Sequence, residues 1–282
     1  MVRSSAPLRR LGAELRRLRE ATGRTQADVG EAIGRSHTTL VNWERGKNKL
    51  SKSDLVCLLA ELRVPADVRK GLELLRAEAG TGTSPWAVYG LPDWLRPLIS
   101  FEEDATSVTT FQPVIIPGLL QTEDYARASH ATAPQLAAPD NIERWVAARM
   151  RRQQRPRNDP HFRLHAVISE AALHLYVGGV AVMAEQLRQL VKATETDNIT
   201  IRVLPSSRGD HAGVANNFTV LHFANPSADP PLGYFDGPLG GHMVSDAGDV
   251  AAMVTMFDDL RAAALAESES ASLLAAILEE YQ

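Results

Sequence analysis

The chain has 282 residues, 44% hydrophobic and 23% charged, with a formal net charge of −4 and one cysteine. That length suffices for two domains with cores of their own, and the lone Cys57 excludes, within one chain, a disulfide scaffold or a thiolate zinc site. No run of about eighteen apolar residues is present to cross a bilayer and no secretory signal precedes Leu8, so a soluble cytoplasmic protein is expected, without contact to membrane. The net charge averages two unlike parts. Residues 1–76 hold 16 Lys and Arg against 9 Asp and Glu, whereas the remainder holds 14 against 25. A basic first part suits a nucleic-acid partner, and an acidic remainder should face away from one.

In chain order, Leu8, Leu11, Leu15 and Leu18 supply the apolar stripe of a first helix over 8–22. Thr25 then stands three residues before Asp28, the spacing of a capping box, and opens a helix that runs to about Ile33. Val29 and Ile33 face inward, and small Ala27 and Ala32 are expected to let a neighbour approach. Gly34 provides the left-handed residue that a tight turn after a helix needs. Gly34 and Arg35 form the turn, and Ser36 caps a third helix, the second of the pair, whose Leu40 and Trp43 pack inward. A fourth helix over 53–62 follows, with Ser51 and Asp54 repeating the capping-box spacing and Leu55, Leu58, Leu59 and Leu62 as its stripe. Cys57, among these leucines, is expected to be buried and inert.

The face left outward on the helix after Ser36 carries His37, Thr38, Thr39, Val41 and Asn42. In a helix-turn-helix the second helix enters the major groove with its N-terminal residues at the base edges. His37, Thr38 and Thr39 are short groups that donate, accept or touch a thymine methyl, and Asn42 can pair bidentately with adenine. These four are the base-facing candidates. Gln26 and Ser36 at helix starts, with Arg45, Lys47 and Lys49 in the exit loop beside Lys52, are the candidates for phosphate. The segment "TQADVGEAIGRSHTTLVNWERGK" resembles the phage-repressor or xenobiotic-response-element type of helix-turn-helix. With its flanking helices the resemblance covers about a quarter of the chain, and it implies binding to double-stranded DNA. A helical hairpin that binds only protein is the alternative, and the basic balance weighs against it.

"AEAGTGTSPW" ends the helical pattern with Gly, Thr, Ser and Pro. This divides the chain into an all-α helix-turn-helix domain at 1–77, a linker at 78–85 and a larger α+β domain at 86–282. In the second domain "DWLRPLISFEEDATSV" reads as an amphipathic helix and "TTFQPVIIP" as an extended segment. Further helices are expected at 122–129, 141–154, 169–176, 180–193, 247–266 and 270–281. "HFRLHAVIS", "ITIRVLP", "NFTVLHFA", "LGYFDG" and "GHMVSD" read as strands. A small, mainly antiparallel sheet fits this order.

The words "VIIPGLLQTEDYARA", "ISEAALHLYVGG", "MAEQLRQL", "ITIRVLP" and "FDDLRAAAL" resemble the C-terminal domain of WhiJ-like, antitoxin-like regulators of filamentous actinobacteria. The resemblance implies a transcriptional regulator of development or secondary metabolism, often acting beside a small protein encoded nearby, and it implies no known ligand. "LGYFDGPLGGHMVSD" departs from the pattern by its glycines and proline, which makes 232–246 unusually turn-rich.

Within this domain 117–122 form a turn into a helix that Thr122 can cap, so Gln121 and Thr122 are candidates to line a pocket or a partner groove, or to serve the turn alone. The run "RMRRQQRPR" holds Arg149, Arg151, Arg152, Arg155 and Arg157. It is expected to be a solvated helix end, with Arg149 and Arg152 as the candidates for gripping a phosphate or an acidic partner. No hydrolase elbow, phosphate loop or zinc-protease helix is present. His161 and His165, four apart, lack a further ligand nearby, and Asp210 and His211 sit in a glycine-rich connection. No catalytic residue, metal or cofactor is expected. Three functions remain: a DNA-binding transcription factor that acts as a homodimer, an antitoxin-like protein that neutralises a small partner and autoregulates, and a repressor that senses a small molecule. The last would show itself by a deep apolar pocket with convergent polar groups.

Overall fold

The computed structural model describes residues 6–65, 68–69, 71–73, 76, 86–132, 139–213, 216–226, 229–237 and 240–281. The linker expected at 78–85, and Pro238 at the tip of the turn-rich segment, lie outside the described residues. The chain divides into two compact units, Met1–Pro85 with Ala224–Pro230, and Trp86–Phe223 with Pro231–Gln282.

In the first unit the helices α1 (Ala6–Ala21), α2 (Gln26–Ala32), α3 (His37–Glu44) and α4 (Lys52–Glu61) pack around one core. Leu11, Leu15, Val29, Leu40, Trp43, Leu55, Leu58, Leu59 and Leu62 meet there, joined by Leu50 and Val64 from the loops on either side of α4. Burial of such aliphatic side chains is the main force that holds so small a bundle. The close approaches are made by glycines, and Ala27 and Ala32 are instead exposed. A Cβ on Gly12 would lie 2.5 Å from the Trp43 carbonyl oxygen, and one on Gly30 would lie 2.8 Å from that of Arg35. Cys57 is exposed and not buried, because the inward stripe of α4 is 55, 58, 59 and 62, and position 57 points away from it.

The second unit is built on a six-stranded sheet of β1 (Ser107–Gln112), β2 (Arg163–Ser169), β3 (Ile199–Leu204), β4 (Phe218–His222), β5 (Leu232–Gly237) and β6 (Gly240–Val244). Their order is β3-β2-β1-β4-β5-β6. β1, β2 and β3 pair in parallel, and β1, β4, β5 and β6 pair antiparallel. The sheet is therefore larger and more mixed than the small, mainly antiparallel one expected from the sequence. Helical connections cause the difference. One helix, α5 (Arg96–Glu102), precedes β1. Between β1 and β2 run α6 (Glu123–Ala131), α7 (Pro139–Arg152) and α8 (Gln154–Asn158), and between β2 and β3 run α9 (Glu170–His174) and α10 (Val180–Thr194). Crossovers of this kind return the chain in the same direction. The expected helix before β1 also stops early, since the β-branched "TSVTT" continues as strand.

The sheet has two distinct faces. Phe111, Val167, Leu204, Phe218 and Val220 pack against Val250, Phe257 and Leu260 of α11 (Ala247–Ala263). Val108, Thr110, Thr219 and Tyr234 belong to the other face and line a cavity. The outer edge at β3 is closed by the chain entering α12 (Glu267–Glu280). There Val203 N–H donates to the buried Ser270 hydroxyl at 2.9 Å, and Leu265 N–H donates to the Val203 carbonyl at 2.9 Å. Covering an edge in this way prevents strand addition there. Among the described residues no helix is long and apolar enough to cross a membrane.

Candidate nucleic-acid interface

The helix-turn-helix is assembled from local hydrogen bonds. Thr25 and Asp28 form the reciprocal capping box of α2: Asp28 N–H donates to the Thr25 hydroxyl at 3.2 Å, and Thr25 N–H donates to the Asp28 carboxylate at 3.0 Å. The Thr25 hydroxyl and N–H together hold the Asp28 carboxyl below its usual range. Gly34 takes φ +68°, and Arg35 N–H closes the turn on the Gly30 carbonyl at 2.8 Å. Ser36 caps α3 by accepting the Thr39 N–H at 3.2 Å. Val29, Leu40 and Trp43, at 0%, 1% and 6% exposure, fix the angle of the two helices.

A buried ion pair fixes α3 against the rest of the bundle. Arg19 donates to both carboxylate oxygens of Glu44, at 2.6 and 3.0 Å, and Gln26 Nε2 donates to the same carboxylate at 2.7 Å. Sequence reasoning does not find Arg19 and Glu44, although a carboxylate next to Trp43 on the inward face of α3 is a signal for them. It also assigns Gln26 to phosphate alone, whereas the structure occupies one of its amide hydrogens inside the protein. Arg35 is likewise spent, donating to Asp54 at 2.9 and 2.7 Å.

What remains on the surface of α3 and its exit loop is different. His37 and Thr38 are exposed and Asn42 is half-buried, as is Thr39, whose hydroxyl shares a 2.9 Å hydrogen bond with Ser36. Arg45, Lys47, Lys49 and Lys52 are exposed. Among the described residues the side chains of His37, Thr38, Asn42, Arg45, Lys47 and Lys49 have no hydrogen-bond or ion-pair partner. They lie on one helix and the loop leaving it, whereas Arg16 pairs with Glu20, Arg17 with Glu14 and Arg24 with Glu61. Short polar groups at the start of a helix and free cations at its end match the division between base readout and phosphate binding.

The second-domain candidates separate. Thr122 is a helix cap: its hydroxyl accepts the Tyr125 N–H at 3.3 Å and its own N–H donates to Gln186 at 2.7 Å. Gln121, Arg149 and Arg152 come together. Gln121 is fully buried and accepts from Arg149 while donating to the Ile116 carbonyl at 2.7 Å, and Arg152 makes a two-point pair with Glu102 at 2.8 and 2.7 Å. The arginine run is therefore only in part a solvated helix end: Arg149 and Arg152 turn inward, whereas Arg151 and Arg157 are exposed. Arg151 lies 4.9 Å over the Trp86 ring, Arg155 donates to the Ala105 carbonyl at 2.9 Å, and Arg157 donates to Gln153 at 3.1 Å. His211 accepts the Gly213 N–H at 3.2 Å and stands edge-on to the Phe111 ring, a packing role. Among the described residues no group of three or more His, Cys, Asp or Glu is placed to hold a metal ion.

These features define a helix-turn-helix protein, and the family model described as "Helix-turn-helix domain" matches residues 10–72. A second family model, described as "Domain of unknown function (DUF5753)", matches residues 95–276, and the chain belongs to that family. No curated protein and no solved structure matches the chain.

Proposed function

We propose that this protein is a sequence-specific DNA-binding transcriptional regulator of the xenobiotic-response-element type, acting in the cytoplasm as a homodimer on double-stranded DNA. The observation that carries this reading is the unspent set on α3 and its exit loop. His37, Thr38 and Asn42 have no partner among the described residues and face base edges in this reading, with Thr39 beside them. Arg45, Lys47 and Lys49 hold phosphates, helped by the Ser36 end of α3 and the free amide hydrogen of Gln26. A dimer places two such helices about one helical turn of DNA apart, roughly 34–36 Å, and its operator is a near-palindrome.

The likeness to WhiJ-like regulators supports targets in development or secondary metabolism. The acidic balance of the second domain, 14 Lys and Arg against 25 Asp and Glu after residue 76, favours a protein partner over DNA for that part. An antitoxin-like pairing with a small protein encoded nearby is compatible with the same operator binding, and co-purification of that protein would separate the two. The test is in vitro selection of bound DNA followed by anisotropy titration. One recovered motif bound at least about a thousandfold more tightly than random DNA supports the reading; equal affinity for all sequences overturns it.

A further inference from the structure

The second domain encloses a cavity of about 290 Å³ between α5, α7 and the face of the sheet opposite α11. The walls are mixed, with an aromatic and aliphatic part beside a polar one. Trp94 and Trp145 stand edge to face with centroids 6.4 Å apart, and Leu98 and Val108 lie beside them. At interior packing density the volume admits a ligand of about a dozen heavy atoms.

Three residues that line this cavity each hold a buried polar atom with no hydrogen-bond partner among the described residues: Arg149 Nε, Trp145 Nε1 and His130 Nε2. Buried polar groups are satisfied almost without exception, so three orphans around one cavity require an explanation. Two of them, the guanidinium and the indole, can only donate. The missing partner is therefore an acceptor.

Its charge follows from the neighbours. Arg152 is neutralised by its two-point pair with Glu102. Asp236 is solvent-exposed and accepts the Tyr234 hydroxyl. Arg149 has no carboxylate partner among the described residues and donates only to the neutral Gln121 amide. Arg149 lines the cavity, and enclosure by protein, with Arg152 nearby, pulls its pKa down to about 10 against the opposing pull of Asp236. It remains a cation at neutral pH. His130, by burial and by the two arginines, is pulled down to about 3 and stays neutral. Asp236 and Glu102 act on Arg149 only through space, and an anionic ligand gives its guanidinium the direct carboxylate partner it lacks.

The turn-rich 232–246 segment fits the same picture. β5 and β6 contribute Tyr234, Asp236, Gly237 and Gly240 to the cavity. A Cβ on Gly240 would meet the Trp94 ring at 2.7 Å, and one on Gly241 would overlap the Tyr234 hydroxyl at 1.8 Å. The glycines are there because aromatic rings occupy the space that side chains would need.

We infer that this cavity binds a small organic monocarboxylate with a flat apolar body, its carboxylate on Arg149 and Trp145 and its ring against Trp94. The inference stands apart from the DNA-binding reading and its test does not involve DNA. The full-length protein is titrated by calorimetry, and its melting temperature followed, with 2-naphthoate, indole-3-acetate, their primary amides and inorganic phosphate. The acids bind saturably and raise the melting temperature, the amides bind roughly tenfold or more weakly for want of the charge, and phosphate has no effect. Arg149→Gln abolishes the preference for acid over amide while the unliganded melting temperature holds or rises, since a buried cation without a counter-ion is removed. Trp145→Phe keeps the ring and loses one donor, weakening the acids about three- to tenfold. Acids and amides bound equally, no binding by either acid at millimolar concentration, or an Arg149→Gln protein that still prefers the acid each overturn it. Tighter binding of phosphate than of the acids reassigns the cavity to an inorganic anion and overturns the organic ligand.

Discussion

The two domains leave polar side chains without partners in opposite places. In the first, the buried carboxylate Glu44 is satisfied by Arg19 and Gln26, and the main group of unpaired side chains among the described residues is outside, on α3 and the 45–49 loop. In the second, Arg149 and Arg152 of the arginine run turn inward, and Arg149, Trp145 and His130, which line one cavity, each leave a buried polar atom unpaired among the described residues. An unpaired group in water costs nothing, whereas a buried one costs about 1–3 kcal/mol. The unpaired set on α3 and its loop thus costs nothing without its partner, and the cavity of the second domain carries a cost that a ligand can relieve.

Substitutions can break that contrast. Trp43→Ala should cost about 3–5 kcal/mol and unfold the first domain, because a buried aromatic in a small bundle has no replacement; thermal melts followed by circular dichroism would show it, and a variant that stayed folded would refute the packing. Glu44→Ala should cost about 3 kcal/mol by stranding Arg19 as a buried charge, visible as a lower urea midpoint. Asn42→Ala should leave the melting temperature alone and cost about 1–3 kcal/mol on the operator, with relaxed preference at one base pair. Equal losses on operator and random DNA would remove Asn42 from base readout. Ser36→Ala should cost about 1 kcal/mol through the missing cap, measured by chemical denaturation.

The smallest effect is a pH dependence. Asp28 has a lowered pKa in the folded state, so its contribution is present above the ordinary aspartate value of about 3.9. It is lost as pH falls through the lower folded value. Asp28→Asn should flatten the acid limb of the stability curve, and an unchanged limb would mean that the capping box is not maintained in solution.

What is legible in the sequence follows the range of the forces involved. The caps at Thr25, Ser36, Ser51 and Thr122, the left-handed Gly34 and the stripe of α4 depend on neighbours a few residues away, and their spacing alone reveals them. Gly12 and Gly30 are not legible in this way, because their reason is a backbone from another helix. The pairing of Arg19 with Glu44 spans 25 residues. The parallel pairing of β1, β2 and β3 is equally hidden, since strand order depends on how helical crossovers pack. The cavity leaves one local trace: Trp145, Arg149 and Arg152 repeat at helical spacing, so two of the arginines share a face with a tryptophan and have to point inward with it.

Whether the 45–49 loop holds DNA is decided by the salt dependence of operator binding. It is measured by fluorescence anisotropy for the native protein and for one bearing Arg45→Gln, Lys47→Gln and Lys49→Gln together. If these unpaired cations hold phosphates, the slope of log affinity against log salt falls by about 0.9 for each phosphate no longer neutralised, roughly 2 to 3 in all per subunit, with the melting temperature unchanged. A slope that stays the same in the triple variant would contradict the assignment of this loop to DNA.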